Sequence, residues 1–123
     1  MSDLTHAQIE NKLKNLVNDL TLAQSSLRAA RDNEVEAKHA YESAHRRALL
    51  SANCPKVTRG GYTTAERDAW VAEQAAELEQ AFDVAEANRK AAEDYLRTVR
   101  DQAMIVMALG KSVQSAFSLA GVA

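Results

Sequence analysis

The sequence predicts an all-α chain, a long antiparallel two-helix hairpin of coiled-coil type that oligomerises into a helical bundle. Three observations carry this expectation. Helix breakers are scarce, with one proline and four glycines in 123 residues. Apolar residues recur at alternating steps of four and three along two long runs, which is the heptad signature of a seam between helices. A single stretch, "KVTRGGYTTAERDAW" at 56–70, reads as a turn between those runs.

The composition agrees. Apolar residues make up 46% of the chain and charged residues 26%, which excludes a disordered polyampholyte. Much of the apolar share is alanine. A globule built on so small a side chain has a thin core, whereas long helices packed along a narrow seam suit it. At 13.4 kDa the chain is one domain, 1–123.

The first helix is expected over 6–53. Its seam runs Ile9, Leu13, Leu16, Leu20, Ala23, Leu27, Ala30, Glu34, Ala37, Tyr41, Ala44 and Ala48, in which Glu34 alone is charged. It must end near Pro55, which cannot continue a helix. The turn occupies 54–63, where Gly60 and Gly61 supply loose backbone. The second helix follows over 64–120, opened by a capping box of Thr63 with Glu66. Its seam runs Val71, Ala75, Leu78, Phe82, Ala85, Arg89, Ala92, Leu96, Val99, Ala103, Val106, Gly110, Val113, Phe117 and Ala120, with Arg89 the one charge. Arms of roughly fifty residues would each be about 75 Å long. Antiparallel pairing brings Glu34 within about two turns of Arg89, so these charges either pair in the seam, pair between chains, or snorkel outward.

A hairpin leaves apolar surface over. Trp70, Val84, Ala91, Ile105 and Leu119 form a second stripe on the later helix, widened by Met104, Met107 and Leu109. From Gln102 onward Lys111 is the sole charge. Lys111, Gln114 and the serines make this tail costly as a membrane span. It either caps its own hairpin or, the favoured expectation, packs against other copies, with Val113, Phe117 and Ala120 continuing the seam beyond the reach of the first helix. The partner-facing residues are therefore Trp70, Val84, Ile105, Met107, Val113 and Phe117.

Chemistry is sparse. Cys54 is the only cysteine, so no internal disulfide forms and no partner base activates the thiol. His6, His39 and His45 are read as having no carboxylate or second histidine at i, i+4 in a ligand pattern and are assigned to solvated helix faces. The carboxylates are assigned to the surface, and "TRGGYT" lacks the strand and lysine of a phosphate loop. The expectation is a protein that is not an enzyme, carries no cofactor or metal, and, with a polar N-terminus unlike a signal peptide, resides in the cytoplasm.

Charge is unevenly placed. Residues 38–67 hold Lys38, Arg46, Arg47, Lys56, Arg59 and Arg67 against Glu42 and Glu66, while the rest of the chain is net acidic. A basic tip with an aromatic ring can track a nucleic-acid backbone and stack on an unpaired base. The candidate residues are Arg46, Arg47, Lys56, Arg59, Tyr62 and Arg67, with Trp70 nearby. The alternative is a solvated end whose arginines complement the helix C-terminus.

At the turn and along its alanine-rich flanks, over about residues 30–100, the chain resembles small helical-hairpin proteins encoded by phages of Gram-positive, especially actinobacterial, hosts. The matching features are a lysine- and alanine-rich first arm, Val57 and Thr58 near the turn, and Ala65, Glu66 and Arg67 opening the second arm. The resemblance implies accessory work in DNA recombination or replication, with single-stranded DNA or its binding protein as partner, in the host cytoplasm. The apolar tail after Val99 departs from the usual charged ending. The rival expectation is a phage protein that docks its exposed heptad stripe on a host coiled-coil protein and inhibits it.

Overall fold

A computed structural model describes residues 5–122, and it is all-helical, with no strand among the described residues. Helix α1 runs His6–Leu50, α2 Thr64–Gln74 and α3 Ala76–Val122. The chain divides into two compact units, one of Met1–Arg28 with Ala91–Ala123 and the other of Ala29–Lys90.

Helix α1 opens with a capping box absent from the sequence reading. The Gln8 amide donates to Thr5 Oγ1 at 3.1 Å, and the Thr5 amide donates to Gln8 Oε1 at 2.8 Å, which satisfies two amides that the first turn leaves free. The helix ends at Leu50, three residues before the expected 53. Two effects end it early. Pro55 disfavours helical geometry at Cys54, and Ser51 captures the backbone beyond: its Oγ accepts from the Asn53 amide at 3.2 Å and its carbonyl from the Cys54 amide at 3.1 Å.

The glycines between the helices are not loose. The Gly61 amide donates to the Thr58 carbonyl at 3.0 Å, and Gly60 has φ +82°, the signature of a type II turn with glycine at its third position. Val57 and Tyr62 flank it as an isolated bridge. Gly60→Ala should therefore destabilise the protein by about 1 kcal/mol, with Gly60→Asn costing less because asparagine tolerates positive φ. Urea unfolding midpoints check this; equal midpoints for all three proteins would show that the turn is not kept in solution.

Helix α2 begins as expected: the Glu66 amide donates to Thr63 Oγ1 at 3.1 Å and the Thr63 amide to Glu66 Oε1 at 3.2 Å. The expected continuous second helix is interrupted once, at Ala75, with φ −102° and ψ 4°. The interruption is mild, since the Ala75 amide still reaches the Val71 carbonyl at 3.1 Å and the Ala75 carbonyl still accepts from Glu79 at 2.9 Å. It falls at a fully buried alanine, where no proline or glycine announces it in the sequence.

Every described side chain that the four-three count assigns to the seams is buried or half-buried. The side chains of Phe117 and Ala120 lie outside the described residues. In the unit of Ala29–Lys90 the buried core is Ala48, Val71, Ala75 and Ala85. Small side chains let helix backbones approach closely but bury little area. Larger groups add to it: the rings of Tyr41 and Phe82 stack at 6.2 Å and 27°. Arg89 Nε donates to Glu34 Oε2 at 2.9 Å, with both side chains about one-fifth exposed. Of the fates open to the two seam charges, pairing within one chain is the one observed. Because 34 meets 89 while 41 meets 82, the segments here run in opposite senses.

In the other unit the core is bulkier. Ala23, Leu27 and Leu96 form its centre, with Leu20 and Ala92 packed against them. Ile9 lies so close to Gly110 that a Cβ at that glycine would sit 3.3 Å from Ile9 Cγ2. Glycine inside α3 is thus the residue that permits this approach. Val113, one turn past Gly110, is half-buried.

Candidate nucleic-acid interface

Arg46 and Arg47 stand in the last turns of α1, and Lys56, Arg59 and Tyr62 in the 51–63 connection, all within the unit of Ala29–Lys90. All five are exposed, Tyr62 at 53%. The type II turn and the Val57–Tyr62 bridge hold Arg59 and Tyr62 on an ordered backbone. Arg46, Lys56 and Arg59 have no carboxylate partner among the described residues. Arg47 Nε donates to the Ser43 carbonyl at 3.4 Å, a weak contact with its own helix. Arg46 also borders a shallow groove with Tyr41, Glu42 and His45.

Arg67, at the start of α2, is half-buried. Its guanidinium is paired with the neighbouring Asp68 at 3.2 Å, so part of its charge is already neutralised. Trp70 is half-buried, which limits it as a stacking surface. A further feature escaped the sequence reading although the sequence carries it. From Asp68 to Asn88 there are six carboxylates, Asp68, Glu73, Glu77, Glu79, Asp83 and Glu86, and no lysine or arginine. The charge therefore changes sign between the basic end of α1 with the connection and the acidic run from Asp68 into the start of α3. The Glu86 carboxyl is held below the usual carboxylate range by the Lys90 ammonium, which donates to it at 3.0 Å.

Two expectations about the histidines are corrected: that His6, which is on a solvated face, has no carboxylate at i+4, and that His45 is solvated. His6 lies one turn from Glu10 with Nε2 to Oε1 at 3.1 Å, a spacing that "HAQIE" shows directly. His45 is half-buried and meets the edge of Tyr41 at 6.2 Å, so it is not on a solvated face. His39 is exposed. No three His, Cys, Asp or Glu side chains group to hold a metal ion among the described residues. Cys54 is half-buried, its thiol directed at the Pro55 carbonyl.

Of the second stripe, Val84, Ile105 and Met107 are exposed at 54%, 61% and 54%. A shallow groove of about 390 Å³ lies between Lys12, Asn15, Leu16 and Asp19 of α1 and Gln102, Ile105 and Val106 of α3, within one unit. No helix among the described residues is long and apolar enough to cross a membrane. Compared with protein-family models, curated proteins and solved structures, the chain matches none of them.

Proposed function

We propose that the chain is an antiparallel helical hairpin, oligomeric and non-enzymatic, that binds single-stranded nucleic acid through its basic turn as a phage accessory protein in DNA recombination or replication. The observation that carries this is the exposed group of Arg46, Lys56 and Arg59 without carboxylate partners among the described residues, beside the exposed ring of Tyr62 on an ordered turn. Cations supply affinity by releasing counterions, and the ring supplies a stacking face that accepts any base. The acidic run after Arg67 confines the strand to one side.

The test is anisotropy of labelled single-stranded DNA. Three to four neutralised phosphates give a log–log salt slope of about −2 to −3. Changing Arg46, Arg47, Lys56 and Arg59 together to Glu should abolish binding and leave helicity intact. Tyr62→Ala should weaken binding by about 1 to 3 kcal/mol with the salt slope unchanged. Absence of binding by the parent protein at low salt would overturn the reading. The exposure of Val84, Ile105 and Met107 favours the rival, docking on a host coiled-coil protein. That rival requires specific capture of a helical host protein that the quadruple change leaves untouched.

A further inference from the structure

The groove between α1 and α3 has a self-complementary rim. Leu16, half-buried, and Ile105, 61% exposed, both line it, with Met104 and Met107 exposed on the same stretch of α3. On α1, Lys12 and Asp19 bracket it. They are seven residues apart, so they lie on one face of the helix about 10.5 Å from one another along the axis. Neither has an ion-pair partner among the described residues.

We infer that this groove is where a second copy of the chain docks, about a two-fold axis passing between Asn15 and Leu16. Under that symmetry the same patch is used by both copies, and whatever residue i meets, its counterpart meets in return. The α1 helices cross the axis in opposite senses. Lys12 of each copy then faces Asp19 of the other, twice, while Leu16 and Ile105 of both copies close over the centre. A parallel arrangement would set Lys12 on Lys12 and Asp19 on Asp19, so the charges choose the antiparallel one. An apolar centre with a charged rim is the usual build of a protein interface. The inference rests on the oligomeric part of the proposed function alone, and it uses none of the residues of the basic turn.

Sedimentation of the full chain without nucleic acid tests it, with far-ultraviolet dichroism as the check on folding. The parent should sediment with the mass of two chains. Lys12→Asp and Asp19→Lys should each weaken the dimer about tenfold, because each turns two attractions into two repulsions. Mixing the two single variants in equal amounts should restore parent-like association, since one copy then carries two acids and the other two lysines. Ile105→Asp should give monomer. The quadruple turn variant should remain a dimer, which separates this proposal from the nucleic-acid reading. A parent that stays monomeric at about 100 μM, a hundredfold excess over a dissociation constant of about 1 μM, would overturn the proposal. So would a mixture that associates no better than either variant alone.

Discussion

Val71→Asp is expected to destabilise the protein by about 3 to 5 kcal/mol, the cost of leaving a charge buried without a partner. Val71 is 1% exposed, and the other buried residues of its unit are Ala48, Ala75 and Ala85. Alanines have no rotamers with which to make room, and none of these residues can donate a side-chain hydrogen bond. Val71→Ala, which removes volume without adding charge, should cost about 2 kcal/mol. The acid variant has a pH signature of its own. Burial raises the pKa of the new carboxyl above its unfolded value, so the penalty is complete above the folded pKa and shrinks as pH falls through it. Urea midpoints at neutral and mildly acidic pH measure both effects, and an unchanged midpoint for Val71→Asp would mean that this position faces water.

Removing one member of the Glu34–Arg89 pair should be worse than removing both. The two groups meet at 2.9 Å with side chains 22% and 23% exposed, so they are only partly solvated. Glu34→Ala leaves a guanidinium in that position, for which about 1 to 3 kcal/mol is expected after allowing for the residual exposure. Replacing both by leucine continues the apolar seam, and the double variant should be at least as stable as either single one. A double-mutant cycle should return a coupling of about 1 to 2 kcal/mol. Because the pair forms within one chain, Arg89→Leu should leave the sedimenting mass unchanged. A coupling near zero would show that the two side chains point into solvent independently.

The seam was legible because burial in paired helices imposes a period of 3.5 residues, which survives in the order of side chains. Counting from Ile9 and from Val71 therefore finds the buried positions, Glu34 and Arg89 included. Helix starts were legible where a local rule applies, as at Thr63 with Glu66. The equivalent start at Thr5 with Gln8 obeys the same rule and was there to be seen, as was the spacing of His6 and Glu10. The cationic cluster was legible as composition. Its outline was not, because whether Arg67 is available depends on the rotamer that meets Asp68, and whether Trp70 can stack depends on packing around it.

By itself the sequence determined the helical class of this protein, the residues that line its seams, and the sign of charge around its turn. Each follows from near neighbours along the chain, through periodicity, capping and breaker chemistry. Tertiary structure alone decided two further matters. It placed Arg89 on Glu34 rather than in solvent, and it opened the groove that Lys12 and Asp19 bracket beside Ile105. These depend on distances between residues 55 or more positions apart, and a linear order of side chains contains the identities that meet but not the approach of one helix to another.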